Sequence, residues 1–162
     1  ERPASVGTIA ARRGATASVI ARLADLLGAA PVDRPVAVTA GTTTLLGISP
    51  GRWTVVGGEG DVETRFAGLA DVAALVDQTG GMVVFDLSGP KVGDLLAALV
   101  AVDLHPSVTP AGSVLTTTVA HVGVTLWQSA ADRWTVLVGR SYALAFERAV
   151  VAGAAWSGVE LA

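Results

Sequence analysis

Arg52-Trp53-Thr54-Val55 is spelled out a second time as Arg133-Trp134-Thr135-Val136, 81 residues further on, which is half the length of the 162-residue chain. Each copy lies on a β-branched segment, and each is followed within a few residues by a glycine, Gly57 or Gly139, and then by a helical pattern. One tetrapeptide can recur by chance. Recurrence on the same predicted strand, in the same order of elements, points to an internal repeat.

Working outward from the first copy, Val19, Ile20, Leu23, Leu26 and Leu27 recur at helical spacing, so residues 16–27 are expected to be a helix ended by Gly28 and Pro31. Segments 36–38, 43–48 and 53–56 read as a strand meander, and Val62, Phe66, Leu69, Ala73 and Val76 predict a helix that stops before Gly80. Around the second copy, residues 82–87 read as a strand, with Ser88 as a cap and Pro90 in the first turn of a helix striped by Val92, Leu95, Leu96, Leu99 and Val100. Strands are expected at 114–120, 122–127 and 134–138, and Ser141 is expected to cap a last helix reaching about residue 155. Both halves thus run strand, helix, three short strands, helix. The expectation is an α+β fold, one domain spanning 1–162 with internal halves of about 1–79 and 80–162, each a sheet with helices on one face.

Composition narrows the function. Charged residues make up 15% of the chain, against roughly 25% in ordinary soluble domains, while hydrophobic residues reach 51% and the mean hydropathy is +0.57. A formal charge of -3 without a basic cluster argues against nucleic-acid and anionic-membrane partners. The longest fully apolar runs, such as residues 95–102, fall far short of the roughly 18–20 residues that cross a bilayer. With no cysteine there is no disulfide framework, thiolate metal site or cysteine nucleophile. No secretory pattern opens the sequence, which begins at Glu1, and cytoplasmic residence is the expectation.

The candidate chemical constellations are sparse. Gly57, Gly58 and Gly60 invite comparison with a phosphate-cradling loop, but no Lys-Ser or Lys-Thr follows, and Glu59, Asp61 and Glu63 would repel an anion there. A strand-to-helix turn is the better reading. Any histidine chemistry must use His105 or His121; Asp103 beside His105 reads as a structural hydrogen bond, and His121 as a turn residue between two strands. Of the four tryptophans, Trp53 and Trp134 are expected in the core, whereas Trp127 at a strand end and Trp156 near the C-terminus are expected at a partner surface.

The second half carries motifs that are specific in combination: Asp103-Leu104-His105-Pro106, Pro110-Ala111-Gly112-Ser113, Val124-Thr125-Leu126-Trp127 and Val138-Gly139-Arg140-Ser141-Tyr142-Ala143. In order and spacing these resemble the gamma-subunit family of heterotetrameric sarcosine oxidases. The resemblance covers about residues 83–159; in the first half it is carried by Leu46, Gly47, Ile48 and residues 52–57, and Ser107, Val108 and Thr109 stand where relatives often carry an aromatic residue and a proline.

The resemblance implies a fold similar to the folate-binding domain of aminomethyltransferases and a place in a complex with alpha, beta and delta chains. The family's alpha and beta chains hold FAD, covalent FMN and NAD. The complex oxidises sarcosine to glycine, passes the one-carbon unit to tetrahydrofolate or releases formaldehyde, and makes hydrogen peroxide. The gamma chain is then a structural subunit with no cofactor and no catalytic residue of its own. His105, Trp127, Arg140, Ser141, Tyr142 and Trp156 are its candidate interface or structural residues. Two alternatives stay open: a free-standing folate-binding or one-carbon-transfer protein, distinguished by tetrahydrofolate binding, and a self-associating binding module, distinguished by a discrete homo-oligomer.

Overall fold

The computed structural model describes residues 1–155 in full and the backbone of 156 and 157. The chain divides into two compact units, one of residues 4–80 and one of residues 1–3 together with the chain from 81 onward.

The first unit contains β1 (Val6–Ala11), α1 (Thr16–Leu27), β2 (Ala37–Ala40), β3 (Thr43–Ser49), β4 (Arg52–Gly57), α2 (Val62–Arg65) and β5 (Ala73–Asp77). Its strands form an antiparallel sheet in the order β2-β3-β4-β1-β5. Ile9, Leu45, Trp53 and Val55 meet Val19 and Leu23 of α1 and Val62 of α2 in one buried cluster. α1 occupies the expected span and ends at Gly28, whose left-handed φ of 71° lets its N–H reach the Ala24 carbonyl. α2 packs tightly on β1: a Cβ at Gly7 would lie 2.5 Å from Val62 Cγ2 and 2.7 Å from the Val76 carbonyl oxygen, so the strand admits only glycine there.

The helix expected from residue 62 to 76 is a correction. The α-helix stops at Arg65, a 3-10 turn follows at Ala67–Leu69, and the chain extends as β5 along the open side of β1. Val62, Phe66 and Leu69 do enter the core, but Ala73 and Leu75 do so with strand alternation. Pairing with β1 supplies hydrogen bonds that a continued helix would leave unmade on that strand.

The second unit contains β6 (Met82–Ser88), α3 (Val92–Leu99), β7 (Val114–Val119), β8 (Val122–Ala130), β9 (Arg133–Gly139) and α4 (Ala143–Ser157). The antiparallel sheet order is β6-β9-β8-β7, the same circuit as β1-β4-β3-β2. Val83, Phe85, Val124, Leu126 and Val136 pack under α3 and α4, with the Phe85 and Phe146 ring centroids 4.9 Å apart. α3 begins at Val92 after Lys91, with no side-chain cap. Ser88 instead closes β6 opposite Arg133, which corrects the expected cap.

The repeated tetrapeptide has a structural basis. It opens the second strand of a bulged hairpin in each unit: the register shifts between Gly47 and Ser49 opposite β4, and between Gln128 and Ala130 opposite β9. Trp53 and Trp134 follow the bulges and plug the helix-side cores at 0% and 3% exposure. The opposite sheet faces are buried in part as well, at Val6, Leu46 and Val56 and at Val84, Trp127 and Leu137. Strands buried on both faces need apolar residues at consecutive positions, which accounts for much of the high hydropathy.

Candidate functional site

The second unit carries a cleft of about 480 Å³. The first turn of α3 supplies Asp94, the loop after α3 supplies Asp103 and His105, and the β8–β9 turn supplies Asp132, with Trp134 also in the wall. Three carboxylates and no lysine or arginine make the lining acidic. Such an arrangement accepts hydrogen bonds and attracts cationic groups. Among the described residues, no three His, Cys, Asp or Glu side chains come together as a metal-binding group.

Local bonds fix the loop. Asp103 Oδ1 accepts the His105 backbone N–H at 2.8 Å, and Thr109 Oγ1 donates to the Asp103 carbonyl at 2.7 Å. Asp103 therefore holds the main chain, as a structural residue, and does not orient the imidazole. The ring lies with Nδ1 2.7 Å from Ser107 Oγ and 3.3 Å from the Ser107 N–H, which donates to it. That donation favours the tautomer protonated at Nε2. His121 does occupy a turn, with φ of 70° beside Ala120 at 46°, in the two-residue connection of β7 and β8.

The remaining candidates do not join His105. Trp127, expected at a partner surface, is 3% exposed and sits on β8, on the sheet face away from α3 and α4. It is a correction: alternation along β8 turns Val124 and Leu126 to the helix side and Trp127 to the other buried face. Arg140, Ser141 and Tyr142 form a 3-10 turn ahead of α4, so Ser141 lies inside that turn and does not cap the helix from outside. Arg140 is exposed, with Nη2 donating to the Met82 carbonyl at 3.1 Å; Tyr142 is 59% exposed. This turn stands at the Met82 end of β6, whereas the cleft stands at its Ser88 end, about 20 Å away at ~3.3 Å per strand residue. Trp156 is carried on α4, and its side chain lies outside the described residues.

Sequence reasoning passed over Arg65. Its Nη1 donates to the Gly57 carbonyl at 2.6 Å, its Nη2 to Thr43 Oγ1 at 2.7 Å, and its guanidinium carbon stands 5.0 Å from the Phe66 ring centroid. Burial lowers its pKa from the ordinary arginine value. The glycine cluster exists for this side chain: a Cβ at Gly58 would collide with the guanidinium, and its φ is +80°. Asp61 caps α2 by accepting the Thr64 N–H at 2.8 Å, which holds its carboxyl below the usual range. The only signal in sequence was a lone cation among Glu59, Asp61 and Glu63.

The sarcosine oxidase, gamma subunit family matches the chain over residues 13–155. The chain belongs to that family. A curated relative, sarcosine oxidase subunit gamma from Corynebacterium sp. (strain P-1), is 31% identical over 134 residues, covering 75% of this chain. The aligned region is 63% of that relative's length. A chain of the heterotetrameric sarcosine oxidase from Corynebacterium sp. U-96, solved in complex with pyrrole 2-carboxylate, superposes with a TM-score of 0.81 at 22% identity. That superposition covers 100% of this chain and 85% of the solved one, so the likeness in fold includes both units.

Proposed function

We propose that this chain is the gamma subunit of a heterotetrameric sarcosine oxidase, a structural chain held by alpha, beta and delta partners. The observation that carries the reading is the family match over residues 13–155, with both units included. In this reading residues 1–162 make one gamma-type domain of two internal halves. FAD, FMN, NAD and tetrahydrofolate belong to the partner chains, where sarcosine is demethylated oxidatively to glycine with release of hydrogen peroxide. His105, Arg140, Ser141, Tyr142 and Trp156 serve contacts or local structure in the assembly. Among the described residues no helix is long and apolar enough to cross a membrane, and the reading assigns the assembly to the cytoplasm. The low charge content supports a chain enclosed by neighbours.

The test is expression of the neighbouring subunit genes with and without this chain. With it, a yellow complex that oxidises sarcosine should form. An equally stable, equally active flavin enzyme formed without it would overturn the proposal. Titration of the isolated chain with tetrahydrofolate should show no tight binding; tight binding would favour a free-standing one-carbon-transfer protein.

A further inference from the structure

The two recurring tryptophans have different surroundings. Trp53 Nε1 donates to the Val32 carbonyl at 3.0 Å. Val32 lies on the segment that follows α1 and crosses β3 so closely that a Cβ at Gly47 would collide with the Arg34 carbonyl. Trp134 holds the corresponding place in the second hairpin and is 3% exposed, yet its indole N–H meets no acceptor among the described residues. Nor is it sealed in: among the described residues, Ser5 Oγ is the one side-chain polar atom both buried and unpartnered. The indole nitrogen therefore keeps some contact with solvent, and Trp134 stands in the wall of the cleft.

We propose that this cleft receives an extended, basic segment of a partner chain, with a main-chain carbonyl accepting the Trp134 hydrogen bond as Val32 does for Trp53. The volume lies within the ordinary range of binding clefts. Asp94, Asp103 and Asp132 surround it without a lysine or arginine in the lining, which selects a segment carrying Lys or Arg. Val92, Val102 and Leu104 offer the apolar contact that the stems of such side chains cover. A mostly buried aromatic residue with a free donor is the kind of anchor around which interface energy concentrates. The inference rests on the reading of the chain as one subunit of an assembly and names where a partner is held.

The experiment compares the isolated chain with the co-expressed assembly, both labelled with 5-fluorotryptophan, using Trp134→Phe to assign the fluorine signal. On assembly the Trp134 signal should move, while the Trp53 signal stays in place. Asp94→Asn with Asp132→Asn, both exposed positions, should weaken assembly about 2- to 10-fold at low salt and much less at high salt. Assembly with the Trp134 signal and the Asp variants unaffected overturns this inference and leaves the subunit reading standing. Failure of the chain to assemble overturns both. A Trp134 signal that answers to free arginine or spermidine but not to the partner chains assigns the cleft to a small amine and overturns the proposal.

Discussion

Trp53→Phe and Trp134→Phe form a matched pair. Both shorten a buried ring at the same point of a bulged hairpin, so the loss of packing is common to the two. Only Trp53 loses an internal hydrogen bond, the one to Val32. A hydrogen bond of this type contributes ~0.5–1.5 kcal/mol net, and a carbonyl left without its donor costs up to ~1–3 kcal/mol, reduced here because water can reach the half-buried strap. Trp53→Phe should therefore be more destabilising than Trp134→Phe by about 1–2 kcal/mol. For a chain of this size that corresponds to a difference of roughly 2–8 °C in thermal midpoint. Urea and thermal unfolding of the two isolated variants, followed by circular dichroism, read it directly. Equal losses, or a larger loss at Trp134, would refute the assignment of a free indole N–H in the cleft wall.

Other expectations follow from single contacts. Gly7→Ala should destabilise by about 3 kcal/mol, and adding Val62→Ala should restore only part of that, because the Val76 carbonyl still blocks the new methyl group; urea midpoints of the single and double variants check it. Arg65→Met should cost about 2 kcal/mol by releasing Gly57 and Thr43, and Arg65→Lys should recover less than half, since an ammonium cannot reproduce the forked geometry. Arg22 makes a bidentate bridge to Asp71, at 2.6 and 2.9 Å, which holds the Asp71 carboxyl below its usual range. A depressed folded-state value contributes stability above the unfolded carboxylate pKa and loses it as pH falls through the folded one. Asp71→Asn should thus be less stable than the parent at neutral pH, with the gap closing in acid; a gap independent of pH would contradict the assignment.

Much of the fold is legible because its core residues obey simple periods. α1 reads from Val19 and Leu23, α3 from Leu95 and Leu96, and β3, β4 and β9 from β-branched runs around the repeated tetrapeptide. β5 is not legible: Leu69, Ala73 and Val76 fit a helical step, and the strand exists because β1 has a free side that only the tertiary arrangement reveals. Trp127 misleads for a related reason, since a strand end looks exposed until its sheet face is known to be buried. Ser88 and Ser141 each stand beside a helix start with the right chemistry for a cap, yet the chain turns helical four residues after Ser88 and one residue before Ser141. Arg65 finds Gly57 and Thr43 through the turn between β4 and α2, and the cleft depends on the path of residues 100–113; no local pattern encodes either.

Native mass spectrometry of the affinity-purified product, after tagging this chain alone and co-expressing it with the genes beside it, tests the subunit reading most directly. The account predicts one particle containing a single copy of this chain with three different partners and bound flavin. A tagged chain recovered by itself, or only with copies of itself, while an active sarcosine-oxidising flavoenzyme stays in the unbound fraction, would contradict it.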